Sequence, residues 1–387
     1  MSGIRGLAMA AQWLVVGLAA YNLLTALWGW RAPKPARPGR RQQRFRVVIP
    51  AHNEEKVIWG LLAELSVQEY PKDNYEVWVL ADRCTDHTAR VAAEFAKVVE
   101  RGSGPAGKGA LLAWYLAERP LDWNESLVVL DADNRVPATL LSRFADEHDA
   151  GHEVLQAYLD VTFPVRSRVS DASALSYWAS NRMVQLARRN LGWSSDLGGT
   201  GMCISAAALQ AAGGFGSSLT EDQELGVRLV LGGHRVTWLH DLRVEDEKPT
   251  SMRVAISQRA RWMSGRRSVA RRYTLPLVGR AIRGSMTSLD TAIRLLQPGR
   301  TFMVGVAGGL GVASRLADNK WLLPWWVWAA VVGVSVLAPL PFLARDQVPF
   351  RRLMGYPWLV LFGLAWLPAR LLSRRRRDWY HTPHGAA

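Results

Sequence analysis

Carboxylates stand at the ends of two short apolar runs, in a pattern that suits nucleotide and metal chemistry. Asp82 ends the run EVWVLAD, and Asp131, Ala132 and Asp133 form an Asp-x-Asp directly after SLVVL. Two carboxylates on an extended segment can hold a divalent cation that neutralises a diphosphate, because hard cations prefer oxygen ligands. A carboxylate such as Asp82 can accept hydrogen bonds from a base or a ribose. An isolated Asp-x-Asp is a weak signal, since solvated loop pairs are common.

Two further segments carry residue types that bind polar ligands. An apolar run ends in Pro50-Ala51-His52-Asn53-Glu54-Glu55, and the glycine-rich segment 104–110 contains Lys108 and opens a helical pattern. A flexible backbone and one cation at a helix start can meet a phosphate or a uracil carbonyl. The spacing from glycine to lysine is not that of a P-loop, and a plain turn with a capping glycine is the alternative. His52 fits a cap or packing role better than a catalytic one.

These segments need a sheet whose strand ends face one crevice. Residues 45 to about 250 alternate short apolar runs with helical periodicity, which predicts a mostly parallel α/β sheet of βαβ units. The predicted strands are Phe45–Pro50, Glu76–Leu80, Ser126–Leu130 and Glu153–Tyr158. The predicted helices are Glu54–Val67, Thr85–Phe95, Gly107–Leu116 and Ala138–His148. Ligands of open sheets bind beyond the carboxyl ends of the strands, so the segments described above should meet there.

The N-terminal segment Leu7–Trp30 has no charged residue and is long enough to cross a hydrocarbon layer of roughly 30 Å. The following stretch, Arg31–Arg46, has seven basic residues and no acidic one. Under the positive-inside tendency this stretch is cytoplasmic, which predicts a signal-anchor helix with the N-terminus outside. A cleaved signal peptide is the alternative, but the apolar run is long and no small-x-small cleavage site follows it.

The C-terminal region contains further apolar segments. Trp321–Leu343 and Leu353–Leu372 each read as a spanning helix, with tryptophans at the start of the first of them. Phe302–Leu316 is shorter and glycine-rich, and it is either a third span or a re-entrant segment. Three spans would put the tail outside, whereas the basic cluster Arg374–Arg377 favours the cytoplasm. The sequence leaves both possibilities open.

The composition excludes several classes of protein. The chain has 387 residues, of which 49% are hydrophobic and 21% charged, so it is neither disordered nor of low complexity. Its formal charge of +15 is concentrated beside apolar segments, where anionic lipid explains it better than nucleic acid does. The two cysteines, Cys84 and Cys203, cannot form a disulfide framework or a four-thiolate zinc site, and they fit packing roles.

Three later motifs complete a recognisable set. They are Gly198-Gly199-Thr200-Gly201, Thr220-Glu221-Asp222 and Gln258-Arg259-Ala260-Arg261-Trp262. Together with VVIPAHNEE, ADRCTD, GKGAL and DAD, in this order, they resemble the membrane-embedded family 2 glycosyltransferases. That group includes the cellulose, hyaluronan, chitin-oligosaccharide and poly-N-acetylglucosamine synthases. The resemblance runs from about residue 45 to 270, and the flanking apolar segments agree with it.

The resemblance implies a GT-A fold and an inverting transfer from a nucleotide-sugar donor, usually a UDP-sugar. The carboxylate after the second strand, here Asp82, contacts the nucleoside in such enzymes, and the Asp-x-Asp, here Asp131 and Asp133, holds Mg²⁺ or Mn²⁺ on the diphosphate. The donor site that the resemblance implies comprises Pro50, Ala51, Asn53, Glu54, Asp82, Lys108, Asp131, Ala132, Asp133, Gln258, Arg261 and Trp262.

The resemblance also implies the catalytic and acceptor residues. The aspartate of the T-E-D motif, here Asp222, is the general base, and Glu221 supports it. A positioned carboxylate that takes the proton of a hydroxyl nucleophile contributes roughly 10²–10⁴-fold in rate. The motif arginine, Arg261, lies near the pyrophosphate and stabilises the charge that develops there. The acceptor site that is implied comprises Gly199, Thr200, Gly201, Glu221 and Trp262.

The predicted organisation follows from these motifs and segments. It comprises an N-terminal transmembrane helix (1–30), a basic cytoplasmic linker (31–44), a GT-A catalytic domain (45–250), amphipathic interfacial helices with the Q-x-x-R-W motif (251–298), a C-terminal transmembrane region (299–373) and a basic tail (374–387). The segment Met252–Arg283 has nine arginines and no acid, which is also typical of a helix lying on an anionic leaflet. The prediction is an integral protein of a bacterial cell membrane whose catalytic domain is cytoplasmic.

Two functions fit this organisation. The first is a polysaccharide synthase that elongates a β-linked chain, which the complete T-E-D and Q-x-x-R-W motifs favour. The second is a single transfer of a sugar to a membrane lipid, which the small number of predicted helices favours, because they offer little material for a polymer channel. The predicted partners are a nucleotide-sugar donor, a saccharide or lipid acceptor and membrane lipids. A membrane-anchored nucleic-acid binder is disfavoured, because the middle of the chain has no recognisable nucleic-acid module.

Overall fold

A mixed sheet forms the centre of the molecule. The computed structural model describes residues 2–162, 167–216, 218–316, 321–363 and 366–373. Within these residues the sheet has seven strands: β1 (Arg44–Ala51), β2 (Tyr75–Asp82), β3 (Lys97–Arg101), β4 (Glu125–Val129), β5 (Val154–Val161), β6 (Met202–Ser205) and β7 (Val236–Asp246). The four predicted strands are confirmed with ends that differ by one to three residues, and β3, β6 and β7 are additional.

The strand order is β3-β2-β1-β4-β6-β5-β7. Strand β1 lies parallel to β2 and β4, β2 lies parallel to β3, and β5 lies parallel to β7. Strand β6 is antiparallel to both of its neighbours, β4 and β5. The parallel half therefore matches the βαβ expectation, and its carboxyl ends carry the motif loops along one edge. The overall architecture is the expected GT-A type of α/β fold.

Alternate residues of the central strands face two separate cores, which explains their continuous apolar sequences. Val47 and Ile49 of β1 pack on one face of the sheet, and Val48 packs on the other. The first core includes helices α2 (Ile58–Ser66) and α5 (Leu140–Asp149), and the second includes α4 (Lys108–Glu118), α8 (Ala206–Ala211) and α9 (Glu221–Gly232). The sheet is thus held between two helical layers.

The remaining helices of the described residues precede the sheet, connect its strands or follow it. They are α1 (Ser2–Leu27), α3 (Thr88–Ala92), α6 (Arg168–Ser180), α7 (Ala187–Asn190), α10 (Met252–Ile282), α11 (Met286–Leu296), α12 (Arg300–Leu316), α13 (Trp325–Leu337), α14 (Pro339–Arg345), α15 (Phe350–Leu353), α16 (Tyr356–Gly363) and α17 (Trp366–Leu372). Short 3₁₀ turns cover Trp28–Trp30 and Lys72–Asn74, and a π-helical segment, Asn181–Leu186, joins α6 to α7.

Two helical stretches of the described residues are long and apolar enough to cross a membrane, Gly3–Trp30 and Trp325–Arg345. They agree with the first two predicted spans. The third prediction, a span over Leu353–Leu372, stays a prediction, because residues 364 and 365 lie outside the described residues; within them, α15 ends at Leu353 and α16 begins at Tyr356. Gly355 interrupts the pattern there, and a proline in the first turn of α16 favours a helix start. The Arg374–Arg377 cluster lies outside the described residues.

Buried polar contacts fasten helix α1 to distant parts of the chain. Tyr21 of α1 donates a hydrogen bond to the carboxylate of Asp290 on α11. Asp290 is 1% exposed, and it also accepts charged hydrogen bonds from Arg188 at 3.0 Å and from Arg294 at 2.8 Å. Gln12 of α1 donates to the carbonyl oxygen of Trp321 at 2.8 Å. Helix α1 is therefore held by specific polar contacts as well as by apolar packing.

Candidate active site

The loop after β1 is bonded to the loop after β2. Asn53 adopts a left-handed backbone with φ of 58°, a conformation that asparagine tolerates better than most residues. Its side-chain Oδ1 accepts a hydrogen bond from the backbone N–H of Thr85 at 2.8 Å. The backbone N–H of Glu54 donates to Thr88 Oγ1 at 2.8 Å. Pro50 and Ala51 are the last residues of β1, so this loop begins at the carboxyl edge of the sheet.

Asp82 ends β2 and is held by two arginines, Arg83 within the ADRCTD motif and Arg101 outside it. Arg101 Nε donates to Oδ1 at 2.8 Å, and Arg83 donates to Oδ2 at 2.7 Å. Burial alone would raise the pKa of Asp82, but these two charged hydrogen bonds outweigh it and lower the pKa. Asp82 is thus a fixed, ionised carboxylate. Arg101 ends β3, a strand that the sequence pattern missed.

Lys108 connects three of the predicted motifs. Its ammonium donates to the carboxylate of Asp131 and, at 2.8 Å, to the carbonyl oxygen of Gly199. The backbone N–H of Asp131 is 2.9 Å from the hydroxyl of Thr200, which accepts a hydrogen bond there. The start of α4, the Asp-x-Asp loop and the glycine loop at 198–201 therefore converge at one place. Gly199 has φ of 81°, a conformation that requires glycine.

Two buried amides that the sequence reasoning missed hold the glycine loop in place. Gln156 of β5 is 0% exposed; its amide nitrogen donates to the carbonyl of Thr200 at 2.9 Å, and its Oε1 accepts from the N–H of Gly198 at 2.8 Å. Asn134 Oδ1 accepts from the N–H of Asp131 at 3.0 Å and from the hydroxyl of Thr200. A glutamine inside the apolar strand VLQAYLDV was the available signal, because a buried amide needs partners.

Glu221 and Asp222 form the first turn of α9, where the helix dipole favours negative charge. Burial and the neighbouring Asp222 raise the pKa of Glu221 to about 7, against the opposing effect of Lys108. Burial also raises the pKa of Asp222, while the Gln223 N–H, Arg261 and Lys108 act against the rise. A Cβ atom on Gly199 would lie 3.2 Å from Asp222 Oδ2. The two acidic side chains therefore adjoin the glycine loop and Lys108.

The Asp-x-Asp carboxylates differ in environment. The Asp131 side chain is 42% exposed, whereas Asp133 is 8% exposed. Burial and the charges of Asp246, Asp131 and Glu247 raise the pKa of Asp133 well above its usual range. Among the described residues, no cluster of three or more His, Cys, Asp or Glu side chains could hold a metal ion alone. A bound cation would stabilise the ionised forms of Asp131 and Asp133. Two carboxylates suit a metal ion whose other ligands come from a bound diphosphate.

The Q-x-x-R-W motif lies on α10, and its side chains face two different parts of the molecule. Arg261 donates to the carbonyl oxygen of Leu219 at 3.2 Å, next to the T-E-D turn. A Cβ atom on Gly265 would come within 2.5 Å of Thr220 Oγ1, so α10 packs directly against that turn. Gln258 and Trp262 instead line a cavity on the side of β7. Arg261 therefore lies with the acidic pair, and Gln258 and Trp262 lie beside it.

Comparison with known proteins agrees with this arrangement of motifs. The profile of the family described as "Glycosyltransferase like family 2" matches residues 42–265. The chain belongs to this family. It is 32% identical over 276 residues to the Beta-monoglucosyldiacylglycerol synthase of Synechocystis sp., covering 66% of this chain and 56% of that protein. The enzyme of the same name from Nostoc sp. is 28% identical over 253 residues, covering 59% of this chain and 52% of that protein.

The chain thus spans only slightly more than half the length of these curated relatives. Among solved structures, the mannosyltransferase PcManGT from Pyrobaculum calidifontis, in complex with GDP-Man and Mn²⁺, superposes with a TM-score of 0.61. The match covers 95% of this chain and 98% of that one at 18% sequence identity, so it shows the shared fold. Both sequence relatives described above are named as glycolipid synthases, which supports the lipid alternative better than polysaccharide elongation.

Proposed function

We propose that the protein transfers a single sugar from a nucleotide-sugar donor to a membrane lipid of the diacylglycerol type, with inversion at the anomeric carbon. The observation that carries the reaction is the convergence of Asp222, Lys108 and Asp131 at the glycine loop. The lipid acceptor rests on the similarity to the Beta-monoglucosyldiacylglycerol synthases. Elongation of a β-linked polysaccharide is the second candidate, and the complete Q-x-x-R-W motif is the feature that favours it.

In the proposed reaction Asp222 is the general base. The acceptor hydroxyl oxygen forms a bond to the anomeric carbon, the bond from that carbon to the diphosphate breaks, and the hydroxyl proton moves to the Asp222 carboxylate. The leaving nucleoside diphosphate takes the electron pair of the broken bond. The charges of Arg261 and Lys108 both act on Asp222, so both cations lie near the acidic pair and stabilise the negative charge that develops on the leaving group.

The donor would be held along the carboxyl edge of the sheet. Asp82, fixed by Arg83 and Arg101, supplies acceptor oxygens for the nucleoside. Asp131 and Asp133 would hold Mg²⁺ or Mn²⁺. Such an ion, when bound, neutralises charge on the donor diphosphate. The other residues of the predicted donor site remain assigned as predicted, although Asn53 and Glu54 also bond the loop after β2.

We also propose that the protein is integral to the membrane, with its catalytic domain on the cytoplasmic face. Two stretches, Gly3–Trp30 and Trp325–Arg345, are long and apolar enough to span. The basic stretch 31–46 follows the first one and favours the cytoplasmic side. A membrane location would give the enzyme direct access to a lipid acceptor.

The test uses the full chain, reconstituted in vesicles that contain diacylglycerol, with labelled UDP-glucose, UDP-galactose, UDP-N-acetylglucosamine or GDP-mannose and Mg²⁺ or Mn²⁺. We expect label in the organic phase at one sugar per lipid. Label in high-mass material that a glycosidase degrades would establish the polysaccharide alternative instead. No product and no nucleotide release with any donor would refute the proposal.

Two variants are assayed with each nucleotide-sugar donor. Asp222→Asn should abolish transfer while donor binding, measured by calorimetry, stays nearly unchanged, because the amide cannot accept the proton. Asp73→Asn, which removes an exposed carboxylate in the Lys72–Asn74 turn, is the matched control. Retained turnover in Asp222→Asn would remove the assignment of the base.

A further inference from the structure

A cavity lies beside the acidic pair, between α6, the segment after β7, and α10. Its lining includes Ser173, Ser176 and Tyr177 of α6, Lys248 after β7, and Gln258 and Trp262 of α10. The reaction proposed above uses neither Lys248 nor the α6 residues. This cavity is called the α6–α10 cavity below.

The charges in the cavity wall balance, which suits an uncharged ligand. Two acidic residues, Asp246 and Glu247, and two basic ones, Lys248 and Arg259, line it. The Lys248 ammonium is 2.7 Å from Asp246 Oδ2 and 3.9 Å from the centroid of the Tyr177 ring. Since its charge is already compensated, Lys248 is poorly suited to capture a phosphate. The serine hydroxyls and the Gln258 amide offer hydrogen bonds to neutral oxygens.

One side of the cavity adjoins the reaction centre. Trp262, which lines the cavity, directly follows Arg261, which bonds the turn before Asp222. The negative charges of Asp246 and Glu247 help to raise the pKa of Asp133, which belongs to the Asp-x-Asp. These two cavity residues therefore interact electrostatically with that motif. Tyr177 lies within the electrostatic influence of both Lys248 and Asp222. The cavity wall therefore borders the part of α10 that packs on the T-E-D turn, and it lies within electrostatic reach of Asp133 and Asp222.

An apolar cluster lies behind Ala255, one of the lining residues. Ala255 lines the cavity and also packs with Ala172 of α6 and Phe362 of α16. The Phe362 ring covers the guanidinium of Arg259, which also lines the cavity, with its centroid 3.8 Å from the central carbon. Helix α16 packs on α6, and α17 packs on α10. The cavity wall at Ala255 is thus backed by apolar residues of α6 and of a helix that follows the catalytic region.

We propose that the α6–α10 cavity binds the glycerol end of the lipid acceptor, with the acyl chains directed past Ala255 toward the apolar cluster that α6 and α16 form with it. This inference rests on the proposed glycolipid function and names the residues that select its acceptor. Ser173 and Ser176 donate hydrogen bonds to the ester carbonyls of diacylglycerol, and the balance of charges in the cavity wall excludes phosphorylated lipids. None of these α6 residues belongs to the acceptor site that the motifs imply.

Ser176→Trp tests the proposal, because Ser176 is exposed and a large side chain there narrows the cavity without crowding a core. The full chain in detergent micelles is assayed with short-chain diacylglycerol as the acceptor. We expect the KM for diacylglycerol to rise about tenfold or more, with little change in the KM for the nucleotide sugar. Nucleotide release without acceptor should continue at nearly the wild-type rate. Ser176→Ala keeps the cavity open but removes one hydrogen bond, so it should raise the KM for diacylglycerol by a smaller factor, about twofold to fivefold.

Ser66→Trp places the same side chain on an exposed serine of α2, outside the cavity, and should leave both KM values unchanged. An unchanged KM for diacylglycerol in Ser176→Trp would overturn the cavity assignment and leave the proposed function intact. An equal loss of acceptor-free nucleotide release would also overturn it, because the cavity would then serve the donor. If wild type forms no glycolipid at all, the proposed function itself fails.

Discussion

Replacing Lys108 with glutamine should raise the pKa of Asp222 and move the acid limb of the pH–rate profile to higher pH. Lys108 donates to the carbonyl oxygen of Gly199 at 2.8 Å, and a Cβ atom on the same glycine would be 3.2 Å from Asp222 Oδ2. The lysine charge acts against the rise in the Asp222 pKa that burial causes. Because the ionised carboxylate is the base, activity falls as the pH drops through this pKa.

The size of the shift follows from Coulomb's law. Two unit charges separated by roughly 6–8 Å interact by about 2 kcal/mol at an effective dielectric constant of about 20. Since about 1.4 kcal/mol corresponds to one pKa unit, removing the lysine charge should shift the limb upward by about one unit or more. Arg261 remains and prevents a larger change, while Asp196 and Glu221 keep the local charge negative.

The assay measures kcat/KM for the nucleotide sugar as a function of pH. The quantity compared between variants is the pH at the midpoint of the acid limb, not the maximal value of kcat/KM. Asp196→Asn is the opposing variant, because the Asp196 charge raises the pKa of Asp222 and its removal should move the midpoint to lower pH. Lys97→Gln removes a surface lysine that pairs with Glu76 at 2.7 Å, and should leave the midpoint unchanged. Shifts of the same sign in Lys108→Gln and Asp196→Asn would refute the electrostatic reasoning.

Three further changes test other parts of the structure. Asp290→Asn leaves Arg188 and Arg294 buried without their shared carboxylate, so it should destabilise the protein by about 3–5 kcal/mol. The readout is a lower thermal unfolding midpoint in detergent, and a midpoint equal to that of Asp73→Asn would contradict this prediction. Gln156→Leu leaves two backbone groups of the glycine loop without hydrogen bonds, at a cost of about 1–3 kcal/mol each. The value of kcat/KM should therefore fall by about tenfold or more while the circular dichroism spectrum is unchanged. Full activity would show that the loop does not need this amide. Chelation by EDTA should abolish transfer, and Asp133→Asn should raise the Mn²⁺ concentration for half-maximal donor binding by about 10–100-fold; metal-independent binding in wild type would exclude this role.

The part of the fold that the sequence predicts is the part with two buried faces. Strands β1, β2 and β4 have uninterrupted apolar runs because alternate residues enter different cores, and such runs stand out from their surroundings. Strand β6 has four residues between the glycine loop and α8, too few for a pattern. Strand β7 alternates Asp241, Arg243 and Glu245 on its polar side with buried Leu242 and Val244, and this period of two was the available signal for the strand.

The motifs predict which side chains meet but not which residues hold them. Arg101 reaches Asp82 because β3 pairs with β2 in register, and no local spacing contains that information. Gln156 reaches the glycine loop from β5, more than forty positions earlier in the chain. Lys248 and Tyr177 are brought together by the packing of α6 against the segment after β7. Contacts of this kind are set by tertiary packing, which one sequence does not reveal.

The polar contacts of α1 also impose an order on the synthesis of the protein. Tyr21 is made 269 residues before Asp290, and Gln12 is made 309 residues before Trp321. At ribosomal rates of roughly 5–20 residues per second, α1 waits on the order of 15–50 s for the Asp290 partner. Gln12 and Asn22 can donate meanwhile to carbonyls one turn back in their own helix, at 3.1 and 2.8 Å. Packing of α1 against α11 is therefore a late event in biogenesis. Nascent chains that stop before α11 lack Asp290, the carboxylate that accepts the hydrogen bond from Tyr21.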